Sequence, residues 1–168
     1  MIEVKETTAE DIDNVQQLWA DGAVMSFVGF PDGLMRTDEE MQHWFRWIGS
    51  NRPALGHYSI FEDGKYCGES FYKIDAEHRS AALDIKLFSF ARGRGIATAG
   101  LSYAIQAAFR NGAETVWVDP DPNNLKAIAL YKRLGFQQKD LPDHLISEGE
   151  ERRSIYMELC KAEKDKIC

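Results

Sequence analysis

Residues 92–97 read Arg92-Gly93-Arg94-Gly95-Ile96-Ala97 and join an apolar run, which ends near Phe90, to a helical pattern. Glycine and alanine let backbone N–H groups approach a ligand closely, because no large side chain stands in the way. The N-terminus of the following helix adds the positive end of its dipole, and the two arginines add charge. The stretch therefore predicts a binding loop for a diphosphate-bearing ligand.

The helix after this loop is marked by an apolar face and a stop signal. Asn111-Gly112 ends it, and the face is formed by Ala97, Leu101, Ala104, Ile105, Ala108 and Phe109. The loop has neither the G-x-G-x-x-G spacing of dinucleotide-binding folds nor the Gly-Lys-Ser/Thr of a P-loop. Glycine-rich turns of this kind also occur where a strand and a helix simply pack closely, so the loop alone does not establish a ligand-binding site.

That second motif is Asn124-x-x-Ala127-x-x-x-Tyr131-x-x-x-Gly135-Phe136. With both motifs in order, separated by one helix and one strand, the chain resembles the GCN5-related N-acetyltransferases. Arg92-x-x-Gly95-x-Ala97 is similar to the acetyl-CoA pyrophosphate loop of that family. The resemblance is sharp from about Leu83 to Phe136 and covers nearly the whole chain in element order.

The resemblance implies an α/β fold: one domain over residues 1–168, with a central, mostly antiparallel sheet, splayed fourth and fifth strands and flanking helices. The residue pattern agrees, since no linker or repeat divides the chain. Capping boxes at Thr8 and Thr37 predict two helices after the first strand, and Asp63-Gly64 predicts a hairpin turn. The remaining predicted segments are strands at 2–5, 82–87, 115–118 and 155–159, a helix at 124–134 and a frayed tail at 161–168.

Charge and cysteine content restrict the partners and the compartment. The net charge of −7 disfavours nucleic acid and anionic membranes and favours a cationic substrate, although acidity also serves solubility alone. No apolar run reaches transmembrane length, and residues 1–5 lack the apolar core of a signal peptide. The three cysteines form no pairing pattern, which points to a reducing, cytoplasmic compartment. The sequence leaves the oligomeric state open, a homodimer included.

The resemblance also assigns the contacts to acetyl-CoA. A fourth strand that splays from the fifth would pair with the pantetheine arm through unpaired main-chain groups, here at residues 87–90. Asn124 would contact the same arm, with helix capping as the structural alternative. The cofactor-binding residues implied are Leu87, Phe88, Ser89, Phe90, Arg92, Gly93, Arg94, Gly95, Ile96, Ala97, Thr98, Asn124, Ala127 and Tyr131.

Acetyl transfer to an amine needs a base, an oxyanion donor and an acid. Glu69, Asp84 and Asp119 are the candidate bases, because an alkylamine with a pKa near 10.4 must lose a proton before it attacks. Asp119 precedes a proline and also suits a turn, and Asp84 also suits an ion pair with Lys86. A backbone N–H near Phe88 would stabilise the oxyanion.

Tyr131 lies two helical turns after Asn124 and is the tyrosine that the family uses to protonate the departing thiolate. The structural alternative is an aromatic ring packed against the fifth strand. No cysteine or serine lies in a sequence pattern that would activate it as a nucleophile, so direct transfer in a ternary complex is expected. The four histidines show no ligand spacing, so we expect no metal.

The acceptor is expected to be a small primary amine, polyamine-like or aminoglycoside-like. Phe27, Phe30, Glu69 and Asp119 are the candidate substrate-binding residues, and Asp119 opens a run similar to one in aminoglycoside 6′-N-acetyltransferases. Residues 24–29 resemble those of ribosomal-protein acetyltransferases, so a protein N-terminus is the rival acceptor. A non-catalytic acyl-CoA sensor and a nucleotide-phosphate-binding protein remain as alternatives of other classes.

Overall fold

A seven-stranded sheet in the order β1-β2-β3-β4-β5-β7-β6 organises the chain. The computed structural model describes residues 1–146 and 155–164. All neighbouring strands are antiparallel except β4 and β5, which are parallel. The strands are β1 (Ile2–Glu6), β2 (Leu55–Glu62), β3 (Lys65–Asp75), β4 (Ser80–Leu87), β5 (Thr115–Val118), β6 (Gln137–Lys139) and β7 (Tyr156–Cys160).

The helices begin where the sequence predicts them. The Thr8 N–H donates to Asp11 Oδ2 over 2.9 Å, just before α1, and the Thr37 N–H donates to Glu40 Oε2 over 2.8 Å at the start of α3. Both capping boxes are thereby confirmed, since each satisfies donors that the helix itself leaves open. The helices are α1 (Ile12–Ala20), α2 (Gly22–Met25), α3 (Asp38–Ser50), α4 (Ile96–Arg110), α5 (Leu125–Arg133) and α6 (Lys161–Lys164).

The parallel strands β4 and β5 separate soon after they begin. They pair only over Ser80–Ala82 and Thr115–Trp117, and β4 then continues from Leu83 to Leu87 with no partner in β5. The predicted splay is therefore confirmed. Because α4 begins shortly after the end of β4, the helix N-terminus and the gap lie at the same end of the sheet.

The two faces of the sheet carry different helices. Helix α4 covers one face closely: a Cβ built on Gly100 would lie 2.4 Å from Ile60 Cδ1 and 3.2 Å from Ile85 Cδ1. Since side chains alternate along a strand, Glu69 and Lys86 point to the opposite face. There Trp19 of α1 donates a hydrogen bond to Glu69. The sheet therefore separates an apolar layer under α4 from a face that contains charged groups.

Three features differ from the sequence expectations or add to them. Strand β6 was not predicted, because Gln137–Lys139 is polar and exposed throughout and has no apolar alternation. Residues 22–28 form two short elements, α2 and a 3₁₀ turn, that no pattern predicted. The start of the tail is helical at Lys161–Lys164, and residues 165–168 lie outside the described residues. No helix in the described part of the chain is long and apolar enough to cross a bilayer.

We expect Gly68→Ala to destabilise the join between β3 and β4. A Cβ at Gly68 would lie 2.0 Å from the Lys86 carbonyl oxygen, so the strands would have to move apart. Overpacking of this kind costs about 1–3 kcal/mol, measurable as a lower free energy of unfolding in urea. Gly49→Ala in α3 is the control: its Cβ meets nothing within 4 Å, and alanine favours a helix. Equal stabilities of the two variants would contradict the expectation.

Candidate active site

The loop before α4 has the backbone shape that its glycines predict. Gly93 and Gly95 adopt φ values of +73° and +79°, in the left-handed region that glycine tolerates without strain. A Cβ built on either residue would meet nothing within 4 Å, so the loop faces open space. Gly95 precedes α4 and offers no side-chain cap. The first N–H groups of the helix, which have no partner within it, are therefore accessible to an outside acceptor.

The two arginines of the loop do not extend toward this open space. Arg92 turns inward: its Nη2 donates to the Ala23 carbonyl at 2.9 Å, and its Nε donates to the Leu87 carbonyl at 3.3 Å. Arg94 pairs with Glu62 at 2.7 Å. The guanidinium of Arg92 thus holds carbonyl oxygens of the chain, and the charge that both arginines are expected to offer an anion stays a prediction. The loop also presents backbone N–H groups to the open space.

The main-chain edge expected at residues 87–90 is largely engaged within the chain. The Phe88 N–H donates to the Cys67 carbonyl at 3.0 Å, and the Phe88 carbonyl accepts from the Ala91 N–H at 3.0 Å. Phe88 itself is therefore not a ready oxyanion donor. The stretch of β4 that extends past its last β5 partner is Leu83–Leu87, so the edge that faces the gap lies upstream of the expected one.

Asp84 lies in the part of β4 that has separated from β5, Asp119 directly follows β5, and both carboxylates are within electrostatic reach of Tyr131. Tyr131 is 6% exposed, and its ring lies 5.7 Å from that of Phe136. Burial raises the pKa of the Tyr131 hydroxyl well above its usual value, and the carboxylates of Asp84 and Asp119 raise it further. The phenol therefore keeps its proton throughout the physiological range. The three candidate catalytic residues, which are far apart in sequence, are electrostatic neighbours.

The remaining motif residue, Asn124, caps α5. Its Oδ1 accepts from the Ala127 N–H at 3.2 Å, which is the structural alternative that the sequence left open. The cap fixes the start of the helix that carries Tyr131. Asn124 thus contributes to the site by positioning α5, whether or not it also contacts a ligand.

Glu69 lies in a buried polar network on the face opposite α4. It is 3% exposed; Trp19 Nε1 donates to its Oε1 at 2.9 Å, and its Oε2 lies 3.1 Å from His57 Nε2. Thr7 Oγ1 lies 2.8 Å from His57 Nδ1 and continues the network toward β1. Both oxygens of Glu69 are therefore engaged, and this burial favours a positioning role over contact with an acceptor.

Lys86 joins this network to Asp84. Its Nζ lies 3.5 Å from Glu69 Oε1 and also pairs with Asp84. Burial raises the pKa of Glu69, but attraction to His57 and Lys86 outweighs it, and the net result is a pKa of about 2. Burial lowers the pKa of Lys86, but Asp84 and Glu69 together raise it above its usual value. Both groups are thus charged at neutral pH, and Asp84 forms the ion pair that the sequence offered as its alternative role.

The sequence singled out the candidate substrate-binding residues Phe27 and Phe30 but not His57. Phe27 and Phe30 are 52% and 41% exposed, so both side chains face solvent. His57, by contrast, is 2% exposed and was not singled out by any motif. His57 lies on the same face of β2 as Ser59 and is paired with Phe71 of β3. This placement depends on the strand register, which is not evident from the sequence alone. Trp44 packs edge-on to His57 with ring centroids 4.8 Å apart and covers that end of the network.

The sequence of the chain is similar to those of known proteins. The family model described as "Acetyltransferase (GNAT) domain" matches residues 2–137. An uncharacterized N-acetyltransferase of Methanocaldococcus jannaschii is 28% identical over 145 residues, which is 82% of this chain. The chain spans about 62% of the length of that relative.

Solved structures show the same fold. Spermidine N-acetyltransferase from Vibrio cholerae, in complex with CoA and spermine, superposes with a TM-score of 0.80 at 18% identity, covering 97% of each chain. Ribosomal-protein-alanine N-acetyltransferase from Brucella melitensis gives 0.74 at 19% identity, covering 94% of this chain and 99% of its own. The fold and family predictions are therefore confirmed. With its family model matched from the first strand to β6, the chain belongs to the GNAT family of N-acetyltransferases.

Proposed function

We propose that the chain transfers the acetyl group of acetyl-CoA directly to a primary amine of a small, cationic acceptor. The observation that carries the proposal is that Tyr131 is buried within electrostatic reach of Asp84 and Asp119, which lie on or directly after the two strands that separate. A buried proton donor beside carboxylates suits a reaction in which one proton leaves an amine and another reaches a thiolate.

The loop at residues 92–97 fits the diphosphate of acetyl-CoA. Open space at Gly93 and Gly95 gives an anion access to the loop and to the backbone at Ala97 and Thr98, which are not buried, and helix α4 adds its dipole. Acetyl-CoA, when bound, supplies the activated thioester. The presence of CoA in the Vibrio cholerae structure supports the assignment.

Tyr131 is proposed to give its hydroxyl proton to the departing thiolate. Its raised pKa keeps the proton in place until a strong base appears nearby. A thiolate in the same water-poor setting, next to the same carboxylates, is also made more basic, which keeps the transfer feasible. The proton therefore moves only when the thiolate has formed.

Asp119 is the base that we favour among the three candidates. Asp119 directly follows β5, the strand that has separated from β4. Its carboxylate contributes to the raised pKa of Tyr131 and is therefore within electrostatic reach of that hydroxyl. A carboxylate there could take the amine proton directly or through water.

Direct transfer is supported by the state of the cysteine nearest to β4. Cys67 is buried, and burial raises the pKa of its thiol above its ordinary value. A thiol of this kind is a poor nucleophile. Cys67 and Cys160 are both free, which also supports the proposed reducing, cytoplasmic compartment.

The acceptor is proposed to be a polyamine-like or aminoglycoside-like amine. The net charge of −7 favours a cation, and the Vibrio cholerae structure, with spermine bound, is one of a spermidine N-acetyltransferase. The Brucella melitensis structure supports the rival, a protein N-terminus. The exposed Phe27 and Phe30 suit the apolar part of either acceptor.

The test is an acceptor screen that follows the release of free CoA thiol. Spermidine, an aminoglycoside, free amino acids and short peptides are each added with acetyl-CoA, and the acetylated product is identified by mass. We expect saturable release with a small polycationic amine. Release with peptides alone would favour the protein N-terminus, and acetyl-CoA binding without release would favour the sensor. Stabilisation by ATP but not by acetyl-CoA in a thermal shift would favour the nucleotide-binding alternative.

A further inference from the structure

Asp75, His78 and His144 converge at the end of the sheet away from the proposed active site. One ligand atom from each residue lies within 4.8 Å of the other two. Asp75 ends β3, His78 follows it in the turn to β4, and His144 lies in a 3₁₀ turn at Asp143–Leu145. No sequence motif predicts this cluster, because the two histidines are far apart in the chain. The structure corrects the view that all four histidines are scattered.

The cluster is held in a defined arrangement. Asp75 Oδ1 accepts from the N–H of Glu77 at 3.0 Å, which fixes the carboxylate in the turn. Its Oδ2 then lies 2.7 Å from His78 Nδ1. The rings of His78 and His144 stack with their centroids 3.8 Å apart and an interplanar angle of 5°.

These donors match a first-row divalent metal ion. Zn²⁺ binds imidazole nitrogen and carboxylate oxygen at about 2.0–2.2 Å, which separates tetrahedral ligand atoms by roughly 3.4 Å. All three residues are exposed, so the stacked rings of His78 and His144 have room to turn out of their parallel arrangement and direct their nitrogen atoms at one ion. An adjoining cavity of about 370 Å³, lined in part by Ser80, Trp117 and His144, leaves room for water as a fourth ligand.

We propose that Asp75, His78 and His144 bind one divalent transition-metal ion, with Zn²⁺ as the best-matched species. The bound ion links the β3–β4 turn to the segment that follows β6. It therefore fastens the edge of the sheet near β6 to its centre. The site is separate from the acetyl-transfer site, since it lies at the start of β4 and the loop at 92–97 follows its end.

The test is a Zn²⁺ titration of the chelator-treated full chain, by calorimetry and by competition with a chromophoric chelator. We expect one equivalent to bind, with a rise in Tm of about 5–10 °C at a hundredfold excess over Kd. His78→Ala and His144→Ala should each weaken binding at least about tenfold, because even residues that only support ligands cost that much. His43→Ala, an exposed histidine of α3 outside the cluster, is the matched control and should bind like the wild type.

Two results would overturn the proposal. One is the absence of saturable binding to the wild-type chain. The other is binding that persists in both His78→Ala and His144→Ala and disappears when the cysteines are replaced by serine, which would assign the ion to thiols. Circular dichroism of each variant shows that a loss of binding does not come from unfolding.

Discussion

Tyr131→Phe is expected to lower kcat for acetyl transfer about 100-fold and to leave the Kd for acetyl-CoA nearly unchanged. The substitution removes only the hydroxyl, so the ring still packs beside Phe136. Loss of a general acid costs about 10²–10⁴ in rate, and water can partly replace a donor. Stopped-flow or steady-state thiol release gives kcat, and calorimetry gives the Kd.

The raised pKa of Tyr131 adds a second expectation. Because burial, Asp84 and Asp119 all raise that pKa, the phenol stays protonated from neutral to mildly alkaline pH. The kcat of the wild type should then show no alkaline loss from this group within that range. Tyr103→Phe, a half-exposed tyrosine on α4, is the control and should retain full activity. Equal losses of kcat and of acetyl-CoA affinity in Tyr131→Phe would assign the ring to packing alone.

Glu69→Ala is expected to lower the free energy of unfolding by about 3–5 kcal/mol. Removal of Glu69 takes away one of the two carboxylates that pair with buried Lys86 and leaves the N–H groups of Trp19 and His57 without their acceptor, and each such loss in a buried site is costly. Urea unfolding followed by circular dichroism measures the loss. Glu69→Gln keeps the shape and one acceptor, so its expected loss in the free energy of unfolding is smaller, about 1–3 kcal/mol. This variant replaces Glu69→Ala as the test if Glu69→Ala does not fold.

The matched control for Glu69 is Glu114→Ala. Glu114 also pairs with a basic residue, Arg79, but both side chains are more than half exposed. Surface ion pairs contribute about 0–1 kcal/mol, so Glu114→Ala should differ little from the wild type. If the two alanine variants lose the same stability, the network around Glu69 is no stronger than a surface pair.

The lowered pKa of Glu69 also predicts that the fold loses stability at acidic pH. Its pKa falls from an ordinary 4.5 to about 2 in the folded chain, so its contribution is complete above pH 4.5. The contribution is lost as the pH falls from about 4.5 toward 2, because the unfolded chain takes up the proton first. The wild type should lose stability through this window more steeply than Glu69→Gln, as measured by unfolding at a series of pH values.

The sequence predicted those parts of the fold and site that depend on neighbouring residues. The loop at Gly93 and Gly95 and the start of α4 follow from glycine's freedom in backbone angle. The capping boxes at Thr8 and Thr37 are likewise written within four residues. The splay of β4 from β5 came from the resemblance to a family and not from any residue pattern.

The rest depends on contacts between distant segments. The network of Glu69, His57 and Lys86 requires the register of three strands, and no motif encodes that register. The stacking of His78 on His144 requires a turn that brings residue 144 back to β3. Both clusters are polar, so the apolar periodicity by which strands and helices are recognised does not report them.

The inward position of Arg92 has a consequence for the order of events. One guanidinium holds the loop before α4 to the Leu87 carbonyl and to the Ala23 carbonyl in α2. Helix α2 continues directly into the turn that carries the exposed Phe27, one of the proposed acceptor contacts. We therefore propose that a diphosphate bound at the loop would also order the turn at Phe27. We expect a compulsory sequence in which the acyl donor is seated before the amine is recognised.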